Sequence, residues 1–154
     1  MMDNLPSSPA DGRDPGQAVA LAEQFVAACN AHDLDAILSC LAPGAVHHAR
    51  LADYPMAGIV NAFQATWTAI PDLRWEVIDI VATGDTVIVV ADITGTHSGP
   101  YLGQAGTGEK IKVRNFDYCK ISGGKFSEHW GLMDELHLLT QIHLLDDVLL
   151  TQMS

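Results

Sequence analysis

Carboxylates and imidazoles exchange protons near neutral pH. This sequence gathers several of them in its second half. Glu128-His129-Trp130 is followed by Asp134, His97 stands between Gly95 and Gly99, and His47 adjoins His48. A carboxylate set among apolar groups is pushed toward its neutral form, which brings its pKa into the range of a general acid/base. Such a group can take a proton from one atom of a substrate and later return one to another. Strict alternation along a strand places Phe126, Glu128, Trp130, Leu132 and Asp134 on one face. Asp134 and Trp130 then look the same way, and His129 looks the opposite way unless a bulge intervenes. Asp134 equally suits the cap of a helix beginning near Glu135, and both readings stay open. The His97 imidazole can donate to an oxygen on which charge develops, orient a substrate, or bond a loop carbonyl. On the preceding strand Phe116 and Tyr118 share one phase and Asn115 and Asp117 the other. Alternation alone leaves open which phase is interior.

Other chemistries lack their spacing. No H-E-x-x-H or H-x-x-x-H stands on a helix, so no metal site is expected, and no G-x-S-x-G is present. The Gly-rich stretch from Gly99 to Gly108 has no P-loop Lys-Ser/Thr, so it is a loop and not a phosphate cradle. The three cysteines, Cys29, Cys40 and Cys119, form no C-x-x-C pair. Eight Lys+Arg against 19 Asp+Glu give a net charge of -11 over 154 residues. Such a surface repels phosphate backbones and anionic membranes, so neither nucleic acid nor a membrane is an expected partner. With 48% hydrophobic residues the chain can bury a core. It has no apolar run long enough for a membrane span and no secretory signal at its start. A cytoplasmic location is expected.

The elements that must position these residues follow from periodicity. Residues 1–13 read as a flexible tail. Asp14-Pro15-Gly16-Gln17 opens a helix carrying Ala18, Leu21, Phe25 and Cys29 at helical spacing. Asp33 caps a second helix, which Pro43-Gly44 ends, and Ala45 to His48 is a short extended piece. A third helix runs from about Gly58 to Ile70. The period then changes from 3.6 to 2. Strands are expected over 73–82, 86–97, 110–121 and from Lys125 to about Asp134, with tight turns at Gly84-Asp85 and Gly123-Gly124. The tail from Glu135 to Met153 has a helical stripe of Leu138, Ile142, Leu145 and Leu149. Helices first and hairpin-linked strands after them make an α+β domain over 14–142, with a helical extension over 143–154. A curved antiparallel sheet with helices on one face encloses an apolar cone.

The motifs Gly95-Thr96-His97-Ser98-Gly99 and Glu128-His129-Trp130 with Asp134, joined by Pro71-Asp72, Thr107-Gly108 and Leu138-Leu139-Thr140-Gln141, make the chain resemble the SnoaL-like polyketide cyclases. These belong to the cone-shaped nuclear transport factor 2-like superfamily. The resemblance implies an enzyme that closes a ring by an intramolecular aldol reaction without cofactor or metal. Asp134 maps onto the family's acid/base carboxylate and His97 onto its electrostatic partner. Trp130, His48, Tyr118 and Phe116 would line the pocket. The implied substrate is small, hydrophobic and carbonyl-bearing, and the implied assembly is a homodimer or higher homo-oligomer paired through the outer sheet face. Two features depart from the family: Gly106 replaces a Pro before Thr107-Gly108, and the chain runs on past Gln141. A ketosteroid-isomerase-like proton shift and a non-catalytic binding or dimerisation module are the alternatives on the same fold.

Overall fold

The computed structural model describes residues 14–49 and 52–145. The expected tail over 1–13 and the extension beyond Leu145 lie outside the described residues. Asp14 accepts a hydrogen bond from the Gly16 amide at 2.9 Å and Pro15 occupies the first turn of α1, Pro15–Ala31. Ala18, Ala22, Val26 and Cys29 form its buried stripe, and their small size lets the helix lie close against the sheet. His32, in the left-handed region, ends α1. Asp33 caps α2, Leu34–Ser39, through the Ala36 amide. A 3-10 turn at Met56–Gly58 leads into α3, Ile59–Ala69.

Six strands make one sheet: β1, Leu41–His48; β2, Asp53–Pro55; β3, Arg74–Thr83; β4, Thr86–Thr96; β5, Lys110–Ser122; and β6, Lys125–Met133. Their order is β2-β1-β6-β5-β4-β3. The fold is α+β, with its helices on a mostly antiparallel sheet and α4, Glu135–Gln141, after the last strand. Two expectations need correction. Pro43-Gly44 does not end α2; it lies within β1, where the register against β6 shifts. Within the described part of the stripe after Glu135, the helix stops at Gln141, where His143 takes a positive φ of 61° and the turn closes behind it. Among the described residues, no helix is long and apolar enough to cross a membrane.

Two bulges bend the sheet. Val77 and Asp79 pair with consecutive residues Ala91 and Val90, which leaves Ile78 extra on β3. Phe126 and Glu128 likewise pair with Ile121 and Lys120, which leaves Ser127 extra on β6. Each extra residue increases the local twist and turns the strand toward the helices. The narrow end of the resulting cone is filled. Phe25 of α1 meets Phe126 at 5.5 Å and Trp75 at 6.3 Å, both edge to face. Asn30 ties the helix to the sheet, donating to the Trp75 carbonyl at 3.1 Å and accepting from its amide at 2.7 Å.

Beyond the end of β6, α4 covers the neighbouring stretch of β5. The Gln141 side chain accepts from the Lys112 amide at 2.7 Å and donates to its carbonyl at 2.9 Å. It thereby stands in for a strand that has stopped. Leu138 and Ile142 pack beneath it with Ile111 and Val113.

Candidate active site

The wide end of the cone is open. A hollow of about 560 Å³ is bounded by Phe25 of α1, Ile59 and Phe63 of α3, Trp75 of β3, and Met133 and Glu135 at the rim. Its sheet wall carries His47, Asn115, Asp117, His129 and Gly131. The odd-numbered residues of β5 face inward: Ile111, Val113, Asn115, Asp117, Cys119 and Ile121 are all buried. The even phase faces out, with Phe116 45% and Tyr118 37% exposed.

The bulge at Ser127 sets the phase of β6. Phe126 points inward, and after the extra residue His129 and not Glu128 shares that face. Strict alternation therefore fails in this strand. Trp130 pairs across from Tyr118 and Leu132 from Phe116, on the outer face. His48 lies there as well, stacked on Trp130 with ring centroids 4.1 Å apart and bonded to Asp53 at 3.0 Å and Glu128 at 2.9 Å. The four expected pocket residues, Trp130, His48, Tyr118 and Phe116, thus form a cluster on the far side of the sheet from the hollow.

Asp134 does not project into the cone. It is exposed and accepts the His137 amide at 3.1 Å as the N-cap of α4. His97 is buried but is not part of the hollow's lining. Its Nδ1 lies 3.0 Å from Thr107 Oγ1 and accepts the Thr107 amide at 3.3 Å. Its Nε2 is buried with no partner among the described residues. The glycines around His97 serve close packing: the Ser98 and Gly99 amides both donate to the Ala69 carbonyl, at 3.0 and 2.9 Å. A Cβ on Gly99 would stand 2.0 Å from the Thr68 carbonyl oxygen. The motif fastens the 97–109 loop onto the end of α3.

The structure brings a different set together. The Asn115 amide donates to Asp117 Oδ2 at 2.6 Å, and the other carboxylate oxygen meets His129 Nε2 at 2.8 Å. His129 Nδ1 in turn lies 2.6 Å from Nδ1 of His47. The parallel pairing of β1 with β6 puts His47 directly beside His129. The Tyr54 ring backs His47 at 4.7 Å. Asn115, Asp117 and His129 are buried, so each polar group must be satisfied within the chain of hydrogen bonds. Desolvation holds the His47 imidazole below the ordinary histidine value, and the neighbouring His129 adds to this while Asp117 opposes it. Gly131 keeps the cluster accessible: a Cβ there would lie 3.1 Å from Asp117 Oδ1 and 3.1 Å from His129 Cε1. Burial raises the Cys29 and Cys119 thiols far above their usual range, so neither is a nucleophile at neutral pH. Among the described residues, no group of three or more His, Cys, Asp or Glu side chains is disposed to hold a metal ion.

The SnoaL-like polyketide cyclase profile matches residues 20–142. The chain belongs to the SnoaL-like polyketide cyclase family. Its fold is the cone of the nuclear transport factor 2-like superfamily. Among solved structures this family member is similar to AclR, a proposed hydroxylase from Streptomyces galilaeus. The two are 30% identical over 88% of this chain and 86% of AclR, with a TM-score of 0.82. It is also similar to IdmH, a proposed polyketide cyclase from Streptomyces antibioticus, at 27% identity over 82% and 99% of the two chains with a TM-score of 0.75. TsrD from Streptomyces laurentii is 29% identical over 84% and 97%, with a TM-score of 0.76. No curated protein sequence matches the chain.

Proposed function

We propose that this protein is a polyketide cyclase that removes a proton from carbon beside a carbonyl of a small, hydrophobic substrate and so closes a ring by an aldol-type reaction. The observation that carries this reading is the hydrogen-bonded chain Asn115–Asp117–His129–His47 on the wall of the hollow. Enolate chemistry needs a base of near-neutral pKa in a water-poor cleft. Phe25, Phe63 and Trp75 offer flat apolar surface to a fused-ring substrate. Asp134, the carboxylate implied by the family motif, competes with this chain for the role of base.

Solvent-deuterium incorporation beside the carbonyl of a fused-ring aromatic β-keto ester tests the reading. Asp117→Asn and His129→Asn should slow it by about 10²- to 10⁴-fold, while Asp134→Asn should leave it near the parent rate. Exchange lost on Asp134→Asn and kept on Asp117→Asn would assign the base to Asp134. The likeness to AclR favours a second reading, hydroxylation of a similar substrate. That reading predicts a product heavier by one oxygen atom, whereas ring closure leaves the mass unchanged.

The proposal extends to a homodimer. Val81, Phe116, Tyr118 and Leu132, between 37% and 73% exposed, give the outer sheet face an apolar surface. Light scattering should return twice the chain mass, and Phe116→Lys should return the monomer.

A further inference from the structure

We propose that His47 and His129 work as a single base that shares one proton, with His47 Nε2 as the atom that meets the substrate and Asp117 as the carboxylate that stabilises the charge on His129. This deepens the reading above and rests on it. The hydrogen-bond roles follow from the partners. Asp117 presents both oxygens to donors, Asn115 Nδ2 at 2.6 Å and His129 Nε2 at 2.8 Å. A carboxylate can only accept, so His129 carries its proton on Nε2. In neutral His129 the Nδ1 atom is then bare. The Nδ1 atom of His47, 2.6 Å away, must donate to it. With its Nδ1 so engaged, His47 keeps its lone pair on Nε2. His47 lines the hollow, and Nε2 is its ring nitrogen outside the relay.

Two protons then move together. The substrate C–H bond breaks, its proton goes to His47 Nε2, and its electron pair becomes the enolate. The Nδ1 proton of His47 passes to His129 Nδ1. The positive charge comes to rest on His129, against the Asp117 carboxylate, and not on His47 at the edge of the hollow. The enolate carbon attacks the second carbonyl and forms the new C–C bond. The resulting alkoxide takes the proton back from His47 Nε2 while the His129 Nδ1 proton returns to His47. Every proton is restored, and no oxidant or reductant is needed. A second proton on the pair would set two N–H groups head to head at 2.6 Å. The pair therefore accepts one proton and titrates as a unit. His47 is the catalytic residue in this scheme; His129 and Asp117 are positioning residues that act through it.

Two-bond proton–nitrogen spectra of the full chain, labelled with ¹⁵N at histidine, test the shared proton without any substrate. The expected pattern is His47 protonated on Nδ1 with Nε2 bare, and His129 protonated on Nε2 with Nδ1 bare. Lowering the pH should shift both rings at one common midpoint. His47 protonated on Nε2, or two rings that titrate independently, would overturn the proposal. The same deuterium-exchange probe, the fused-ring aromatic β-keto ester, separates the inference from the reading beneath it. If His129→Asn and Asp117→Asn lose exchange but His47→Gln keeps it, the relay is wrong and the wall chain still supplies the base. If all three variants fold and keep the parental rate, both fall. Loss of exchange in all three, by a factor of about 10² or more, supports the relay when the spectra show the expected tautomers.

Discussion

Replacing Asp134 separates a helix cap from a catalytic base, because the two roles demand different chemistry of one side chain. As a cap, Asp134 supplies one oxygen to the His137 amide at 3.1 Å. Ser and Asn can supply that oxygen too, and Ala cannot. Losing the cap costs about 1 kcal/mol, and losing the negative charge at the start of α4 adds roughly 0.5 kcal/mol at an exposed site. For a chain of 154 residues, each kcal/mol moves the melting temperature by about 2–4 °C. Asp134→Ala should therefore melt about 3–6 °C below the parent, and Asp134→Ser within about 2 °C of it. The loss falls on α4, whose Leu138 and Ile142 complete the packing over Ile111 and Val113. Differential scanning calorimetry beside deuterium exchange into the β-keto ester reads both quantities. The expected outcome is parental exchange in the Ser variant and, below its own melting point, in the Ala variant. An Asp134→Ser protein that melts with the parent but exchanges about 10²- to 10⁴-fold more slowly would refute the cap reading and return the base to Asp134.

Gly131→Val should suppress exchange while sparing the fold, since its Cβ would stand 3.1 Å from both Asp117 Oδ1 and His129 Cε1 and crowd them; parental exchange in a folded variant would show that substrate does not reach the wall at this point. Gly99→Ala should be among the more damaging single changes, because its Cβ would stand 2.0 Å from the Thr68 carbonyl oxygen; overpacking against backbone costs about 3 kcal/mol or more, and a melting temperature unchanged in calorimetry would contradict that packing. The pH profile should have two limbs. His47 sits below the ordinary histidine value through burial and its His129 neighbour, so its stability contribution is complete above the unfolded value and is lost, along with its function as a base, as pH falls through the folded one. His48 behaves in the opposite sense: partial burial disfavours its charge, but hydrogen bonds to Glu128 and Asp53 outweigh that and raise its pKa, so its clamp on β1, β2 and β6 is complete below the unfolded value and is lost as pH rises through the folded one. Exchange should peak where His47 is neutral and His48 still charged, and His48→Gln should remove the alkaline limb alone.

The helices, the hairpins and the turn glycines were legible in the sequence because each rests on local signals: Asp14 and Asp33 as caps, Gly84 and Gly123 at tight turns, and alternation along β4 and β5. The polar wall of the hollow was not legible: the motifs favour Asp134 and His97, and neither lines it. In the sequence the phase of Asn115 and Asp117 stays open and His129 reads as facing away from Asp134, because their facing depends on two features that alternation does not carry. The first is the phase of β5. Its ends settle the matter: Lys110, Lys112, Arg114 and Lys120 occupy one phase, Ile111, Val113, Cys119 and Ile121 the other, and charged residues do not line a core. Reading the strand whole, and not only its aromatic centre, makes Asp117 interior. The second is the extra residue at Ser127, which exchanges the facing of Glu128 and His129. No Gly or Pro marks that bulge, so nothing in β6 alone announces it. The β1–β6 pairing is harder still. It joins residues 82 positions apart in parallel, where no hairpin turn fixes the register. His47 and His129 therefore meet only because the sheet closes on its first strand. The same peptide that turns His47 toward the hollow turns His48 outward onto Trp130 and Glu128, so one strand end sets an imidazole held below the ordinary histidine value on the inner face and one raised above it on the outer.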